Sequence, residues 1–121
     1  MNTVLIVDDD KSVLKIISVL LKKEGFNIIE ATNGKDGVDL YNTKSPDIVV
    51  IDIIMPEKDG LCAIRDIKAI NKQAKVIAIS GGLVMTPEVY LNEAEEIGAD
   101  WILPKPIERQ ELINAIRNLL N

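Results

Sequence analysis

The sequence contains no histidine and only one cysteine. Without histidine the chain cannot form a Ser-His-Asp triad, a histidine-ligated metal site or a phosphohistidine of its own. Cys62 has neither a partner for an internal disulfide nor companions for a zinc site, which is typical of a reducing compartment, and we expect it to be a buried helix residue. If a phosphoryl group is handled here, any histidine in that chemistry belongs to a partner.

The chain also lacks the features of membrane and nucleic-acid proteins. No apolar run approaches the roughly 18 residues of a membrane span, and the start Met1-Asn2-Thr3 does not begin a secretory signal. With 14 Lys and Arg against 19 Asp and Glu, the net charge of −5 offers no broad cationic face for phosphates or anionic lipid. We therefore expect a cytoplasmic protein with no direct nucleic-acid contact and no membrane contact.

Short apolar runs alternate along the chain with segments of helical spacing. The predicted strands are residues 4–7, 28–30, 48–51, 76–79 and 101–103, and the predicted helices are residues 12–23, a weaker one from 33, 60–71, 86–98 and 108–120. Five such β/α alternations with nearly continuous apolar strands predict an α/β, doubly wound (βα)5 three-layer sandwich around a parallel five-stranded sheet. We expect residues 1–121 to form a single domain, with no effector domain.

Polar residues follow four of the predicted strands. The first strand runs into Asp8, Asp9 and Asp10, and the third into Asp52. If the strand order is 2-1-3-4-5, strands 1 and 3 are neighbours, so that Asp8, Asp9 and Asp52 meet in the crevice beyond their carboxyl ends. Ser80, which ends the fourth strand, and Lys105, which follows the fifth, border the same crevice. Asp10 is placed instead to cap the first helix.

Clustered carboxylates repel one another, and a cation resolves the repulsion. An all-oxygen set without imidazole or thiolate suits a hard ion, and a wet site with one or two carboxylates suits Mg²⁺. A carboxylate oxygen can attack phosphorus to form an aspartyl phosphate when the charge on the phosphoryl oxygens is countered. Mg²⁺, the Lys105 ammonium, the Ser80 hydroxyl and the backbone N–H groups near Gly81 would supply that counterbalance.

With these residues in place, the chain resembles the receiver domain of two-component response regulators, the CheY-like family. The resemblance extends along essentially the whole length of the chain. The resemblance rests on five motifs in order, namely Leu5-Ile6-Val7-Asp8-Asp9-Asp10, Ile51-Asp52-Ile53-Ile54-Met55-Pro56 with Asp59-Gly60, Ile79-Ser80-Gly81, Gly98-Ala99-Asp100 and Lys105-Pro106. It implies a flavodoxin-like sheet of order 2-1-3-4-5. It also implies a phosphorylation-activated signalling switch that is not an enzyme beyond its own phosphorylation and dephosphorylation.

The resemblance further implies a role for individual residues. Asp52 would accept a phosphoryl group from a sensor histidine kinase or a histidine phosphotransfer protein. Asp9, Asp52 and the backbone carbonyl of Ile54 would bind Mg²⁺, with Asp8 acting through water. Ser80 and Lys105 would bind the phosphoryl group, and the Lys105-Pro106 peptide bond would be cis.

A partner surface follows from the same resemblance. It would consist of the fourth helix, the fifth strand and the last helix, at about residues 87–97, 101–103 and 108–118. That surface would bind a downstream protein after phosphorylation, with the chain a monomer or a phosphorylation-dependent dimer.

Three positions depart from the pattern of the family. Ile102 stands where receivers commonly carry an aromatic residue, and we expect the adjacent Trp101 to face the opposite side and to be packed rather than to act as a switch. Leu83-Val84-Met85 lengthens the segment after Ser80, and these apolar residues fit an ordered lid, a partner-binding patch or simple loop packing, of which we favour packing. Ile54 offers no polar side chain to position a hydrolytic water, which predicts slow loss of phosphate from Asp52.

Two alternatives remain open. Asp8-Asp9-Asp10 also fits the Asp-x-Asp of phosphatases resembling the haloacid dehalogenase group, with Asp8 as nucleophile and Asp10 as acid, followed by Ser80 and Lys105. That enzyme needs an acidic pair after the lysine strand, where this sequence has Pro106-Ile107-Glu108, and it leaves Asp52 without a role. The second alternative is a degenerate receiver that binds partners without phosphorylation, against which the complete set of acidic, hydroxyl and lysine positions argues.

Overall fold

Five parallel strands form one sheet in the order β2-β1-β3-β4-β5 in the computed structural model, which describes residues 2–53, 60–80 and 95–121. The strands are β1 (Thr3–Val7), β2 (Asn27–Ala31), β3 (Ile48–Asp52), β4 (Val76–Ser80) and β5 (Trp101–Pro104). The helices are α1 (Lys11–Lys23), α2 (Gly34–Lys44), α3 (Gly60–Ile70) and α4 (Arg109–Leu120). The doubly wound, flavodoxin-like α/β sandwich and its strand order are confirmed.

Each face of the sheet carries its own hydrophobic core. Alternate residues of β1 and β3 point to opposite faces, so that Leu5 and Val49 pack towards α2 and α3, whereas Ile6 and Val50 pack towards α1 and α4. All residues of β3 and β4 are buried. Burial on both faces is the reason that these strands are continuous apolar runs without polar alternation.

Helix α1 begins and ends where its sequence signals place it. The Asp10 carboxylate accepts hydrogen bonds from the backbone N–H groups of Ser12 at 2.9 Å and Val13 at 3.4 Å. The predicted cap is therefore confirmed. Beyond the other end of the helix, Gly25 has a φ of 93°, a left-handed conformation that glycine adopts without a Cβ penalty.

The strands that carry site residues are one residue longer than the apolar pattern predicts. Asp52 is the last residue of β3 and pairs in register with Ile79, and Ser80 is the last residue of β4 and pairs with Pro104. Residues 95–97 are helical, whereas the rest of the helix predicted at 86–98 lies outside the described residues. Gly81, Gly82 and the segment Leu83-Val84-Met85 also lie outside them.

The two residues that start β5 face opposite sides of the sheet, as predicted. Ile102 is buried against the α2 and α3 side, whereas the side chain of Trp101 is 50% exposed. The expectation that Trp101 is packed is therefore wrong, because β5 is an edge strand with only β4 beside it. Cys62 lies on α3 as expected but is only partly buried. Within the described ranges, no helix combines the length and the apolar character that crossing a bilayer requires.

Candidate functional site

The site lies at the carboxyl edge of the sheet, where β1 and β3 run side by side. Asp52 ends β3, and Asp8 follows β1 directly with its backbone N–H donating to the carbonyl of Ala31 at 3.1 Å. Beyond Asp52, the N–H of Ile53 donates to the carbonyl of Ile79 at 3.1 Å. Ladder hydrogen bonds on both sides therefore fix the backbone from which these two carboxylates project.

The three carboxylates predicted to converge do so. One carboxylate oxygen from each of Asp8, Asp9 and Asp52 lies within 4.8 Å of the others. Asp8 and Asp52 are buried, whereas Asp9 is exposed at the rim. Ile54, whose carbonyl was expected to complete the metal site, lies outside the described residues.

Lys105 is the cation of the site. Its Nζ donates to Oδ2 of Asp52 at 2.8 Å, with the Lys105 side chain 35% exposed and the Asp52 side chain 3% exposed. The backbone N–H of Lys105 donates to the carbonyl of Ser80 at 3.0 Å, which holds the ends of β4 and β5 together. Ser80 is buried beside them. The Lys105-Pro106 peptide bond is cis, as the resemblance implied.

Burial and charge act on the protonation of two of these groups. Burial is the main cause that raises the pKa of the Asp8 carboxyl above its usual range, and the charge of Asp52 adds to it, although the N–H of Asp10 donates to Asp8 Oδ1 at 2.9 Å and opposes the shift. Burial alone would lower the pKa of Lys105, but the hydrogen bond and charge of Asp52 outweigh it, so that the pKa of this lysine is raised. The site therefore favours the protonated, cationic form of Lys105 and opposes the ionisation of the Asp8 carboxyl.

Asp10 does not join the cluster. Its carboxylate is used at the N-terminus of α1, where it accepts the two backbone hydrogen bonds described above. The phosphatase alternative required Asp10 as a general acid towards Asp8. With the Asp10 oxygen engaged in helix capping, the geometry gives that alternative no support.

Gly60 has a role in the site that sequence reasoning did not assign. A Cβ at this position would lie 2.4 Å from the carbonyl oxygen of Asp52 and 2.7 Å from Cα of Ile53. The first residue of α3 therefore rests directly on the backbone of Asp52, which only glycine permits. The Asp59-Gly60 motif singles out this glycine in the sequence. The contact itself depends on how closely α3 approaches the backbone of β3, which no local sequence pattern shows.

Comparison with known proteins identifies the family. Residues 4–117 match the family model of the response regulator receiver domain. The chain belongs to this family. The chemotaxis protein CheY of Bacillus subtilis is 38% identical over 121 residues, which cover 99% of this chain and 98% of that protein.

Solved structures agree with the family assignment. A response regulator receiver domain protein from Clostridium thermocellum is 30% identical, with a TM-score of 0.87, and the match covers 100% of this chain and 95% of that one. A chain of the CheX-CheY-BeF3-Mg+2 complex from Borrelia burgdorferi is 31% identical, with a TM-score of 0.86 over 99% of this chain and 90% of that one. This receiver is therefore a phosphorylation-dependent signalling module of the two-component type and not a classical enzyme.

Proposed function

We propose that residues 1–121 act as one receiver domain in which Asp52 accepts a phosphoryl group from a phosphohistidine on a sensor histidine kinase or a histidine phosphotransfer protein. The observation that carries this proposal is the environment of the Asp52 carboxylate. It is buried, it accepts a hydrogen bond from Lys105 at 2.8 Å, and it shares a 4.8 Å cluster with Asp8 and Asp9. Because the chain has no histidine, the donor histidine belongs to the partner.

The transfer is a substitution at phosphorus. A carboxylate oxygen of Asp52 attacks the phosphorus atom, the phosphorus–nitrogen bond of the donor breaks, and its electron pair returns to the imidazole ring. Negative charge in the transition state is spread over the phosphoryl oxygens. Lys105, which already lies beside Asp52, neutralises part of that charge, and the Ser80 hydroxyl at the neighbouring strand end donates to another oxygen.

The cluster of carboxylates fits Mg²⁺. Its members offer only oxygen atoms, which hard divalent cations prefer, and the exposed Asp9 leaves one side open to water and phosphate. We assign Asp9, Asp52 and the carbonyl of Ile54 as direct ligands, with Asp8 orienting a bound water. When bound, Mg²⁺ would offset the repulsion among the carboxylates and the charge of the incoming phosphoryl group.

Phosphorylation changes the partner surface through Lys105 and Ser80. The modification adds about 1.5 to 2 negative charges at Asp52. Conformations in which both residues contact the phosphoryl group then gain stability over those in which they do not. Because these residues end β4 and follow β5, we propose that the switch alters the surface formed by β5, α4 and the preceding helix, where a downstream protein or a second copy binds.

Chemical phosphorylation tests this function directly. The chain is incubated with acetyl phosphate and Mg²⁺, and the modified residue is located by borohydride reduction and peptide mass spectrometry, with Asp52→Asn as the control. We expect a single phosphoryl group on Asp52 and none in the variant. Rapidly turned-over label on Asp8 would instead indicate the phosphatase, and no label from either acetyl phosphate or a phosphorylated histidine kinase would indicate a degenerate receiver.

A further inference from the structure

Asp10 makes hydrogen bonds in two directions, although it is not a member of the carboxylate cluster. Towards the helix, its carboxylate accepts from the N–H groups of Ser12 and Val13, and its backbone carbonyl accepts from the N–H of Leu14 at 3.0 Å. Towards the strand, its own N–H donates to Oδ1 of Asp8 at 2.9 Å. A single residue thus joins the first turn of α1 to one of the site carboxylates.

The residues on either side of Asp10 are fixed in the fold. Asp8 is buried, and its backbone N–H donates to the carbonyl of Ala31, so that its main chain belongs to the sheet. Leu14 is buried in the core between the sheet, α1 and α4. Neither residue is free to follow Asp10 if the backbone of Asp10 moves. The distance between the Asp10 N–H and Oδ1 of Asp8 therefore depends on the contacts that Asp10 makes with α1.

The hydrogen bond from Asp10 to Asp8 closes a turn around Asp9. An aspartate that accepts from the N–H two residues later forms an Asx turn, which restricts the backbone of the residue between them. Asp9 is the exposed member of the cluster, so that packing does little to fix it. The orientation of the Asp8 carboxylate and the backbone of Asp9 both depend on this hydrogen bond, and both residues are assigned above to the Mg²⁺ site.

We propose that Asp10 is a positioning residue of the Mg²⁺ site, through which the first turn of α1 sets the affinity of Asp8 and Asp9 for the metal ion. The Asp10 carboxylate caps the helix, the cap fixes the backbone of Asp10, and its N–H holds the neighbouring carboxylates in place before the ion arrives. Groups that orient metal ligands raise the affinity because the ion does not have to order them. The inference rests on the proposed Mg²⁺ site and adds to it a residue that does not contact the ion.

Charge is the other way in which Asp10 could act on a cation. A carboxylate near the cluster attracts Mg²⁺ whatever the helix does, but the Asp10 side chain is exposed, and salt screens such charges. Two substitutions separate the cap from the charge. Asp10→Ala and Asp10→Asn remove the same negative charge, whereas only asparagine keeps the side-chain oxygen, and it caps helices as well as aspartate does.

The dissociation constant for Mg²⁺ tests the proposal with the full, unphosphorylated chain. MgCl₂ is titrated in about 150 mM KCl, where exposed charges more than about 8 Å apart are largely screened, and binding is followed by the NMR shifts of the backbone amides. We expect Asp10→Ala to raise the Kd at least about five-fold above that of the wild type, and Asp10→Asn to stay within about two-fold of it. Recovery of affinity in the asparagine variant would show that the cap acts, not the charge.

Glu108→Ala is the matched control at another helix. The Glu108 carboxylate caps α4 in the same way, with hydrogen bonds from the N–H groups of Gln110 at 3.1 Å and Glu111 at 2.9 Å. The substitution removes one negative charge and one helix cap, as Asp10→Ala does. An effect of net charge or of a general loss of stability would therefore appear in both variants. We expect the Kd of Glu108→Ala for Mg²⁺ to stay within about two-fold of the wild type.

Thermal denaturation checks that each variant is folded. If Asp10→Ala is not, Asp10→Gly takes its place, because glycine at a cap destabilises a helix less than alanine does. Equal Mg²⁺ affinity of Asp10→Ala and Asp10→Asn contradicts the inference, and so does an equal loss of affinity in Glu108→Ala. In both cases the wild type still binds Mg²⁺, so that the proposed site stands and only the role of Asp10 is refuted. A wild type that binds no Mg²⁺ would instead contradict the proposed metal site, and the inference with it.

Discussion

The individual residues of the site are held together against their own repulsion. Two like charges about 4 Å apart repel by roughly 4 kcal/mol at an effective dielectric constant near 20, and Asp8, Asp9 and Asp52 share a cluster of that size. Lys105 offsets part of this repulsion through its contact with Asp52. The folded chain therefore keeps a locally unfavourable arrangement that an incoming cation or phosphoryl group can use.

Asp8→Asn is expected to stabilise the chain at neutral pH without Mg²⁺. The pKa of Asp8 is raised in the folded state, mainly by burial. Protonated Asp8 therefore stabilises the fold fully at pH values below the pKa of the unfolded state. This stabilisation is lost as the pH rises through the pKa of the folded state. The amide keeps the acceptor for the Asp10 N–H and carries no charge. We expect the free energy of unfolding in EDTA at pH 7 to rise by about 1 kcal/mol.

The gain should shrink as the pH falls through the ordinary pKa of an aspartate, because Asp8 is then protonated in the folded state and increasingly protonated in the unfolded state as well. Urea denaturation at pH 7 and at pH 4 measures the difference. The exposed Asp39→Asn is the control and should change little at either pH. A less stable Asp8→Asn chain at pH 7 would show that burial does not oppose the charge of Asp8.

Lys105→Gln is expected to slow phosphorylation of Asp52 by at least about ten-fold. The substitution keeps a hydrogen-bond donor near Asp52 but removes the positive charge that we propose balances the phosphoryl oxygens in the transition state. Initial rates with acetyl phosphate and saturating Mg²⁺ measure the effect. The exposed Lys44→Gln on α2 is the control, and equal rates for the two variants would exclude a role for the Lys105 charge.

The secondary-structure elements could be predicted in type, because their signals are local. Apolar periodicity places the helices and strands, and Asp10 and Gly25 mark the two ends of α1. The last residues of β3 and β4 could not be predicted. Asp52 and Ser80 are polar, yet their backbones continue the sheet because ladder hydrogen bonds do not depend on side-chain polarity.

Contacts between elements that are distant in the sequence could not be predicted from the sequence pattern either. The exposure of Trp101 follows from the place of β5 at the sheet edge, and that place depends on the whole topology. The approach of Gly60 to the backbone of Asp52 depends on how α3 packs on β3. Neither the exposure of Trp101 nor the approach of Gly60 can be predicted from the spacing of residues in the sequence.

Gly60→Ala is expected to destabilise the chain more than Gly37→Ala, although both substitutions favour helix formation. A Cβ at Gly60 would meet backbone atoms of Asp52 and Ile53 that cannot rotate away, whereas a Cβ at Gly37 would meet the end of the Val7 side chain at 2.8 Å. We expect Gly60→Ala to lower the free energy of unfolding by about 1 to 3 kcal/mol and also to slow phosphorylation, because it displaces the acceptor backbone.

Urea denaturation compares the free energies of unfolding of the two variants, and acetyl phosphate kinetics compares their rates of phosphorylation. Gly37→Ala is the matched control. This expectation depends on the direct contact of α3 with the backbone at the end of β3. Wild-type stability and wild-type phosphorylation of Gly60→Ala would show that α3 makes no such contact.

At the scale of the whole molecule, the sheet order creates the site. Placing β1 beside β3 brings Asp8 and Asp9 to Asp52, and placing β4 and β5 beyond β3 brings Ser80 and Lys105 to the same edge. This convergence could be predicted because parallel strands end at one edge of the sheet. The ion pair between Lys105 and Asp52 could be identified only from the three-dimensional arrangement.

Trp101 gives a readout of coupling across the molecule. It is the only tryptophan, and it is half-exposed on β5, the strand that leads to Lys105. If occupancy at Asp52 shifts the surface around β5 and α4, beryllofluoride with Mg²⁺ should change the Trp101 emission in a saturable way. Asp52→Asn is the control, and a change that persists in it would show that the signal does not originate at the acceptor.

We propose that Asp52 is a phosphoryl acceptor because the three carboxylates and Lys105 form one Mg²⁺-dependent site. The most direct test is the initial rate of Asp52 phosphorylation by acetyl phosphate as a function of Mg²⁺ concentration, in the wild type and in Asp9→Asn. We expect no phosphorylation in EDTA, saturation with Mg²⁺, and a higher Mg²⁺ requirement in Asp9→Asn. Phosphorylation of Asp52 at the same rate in EDTA, or an unchanged Mg²⁺ requirement in Asp9→Asn, would contradict it.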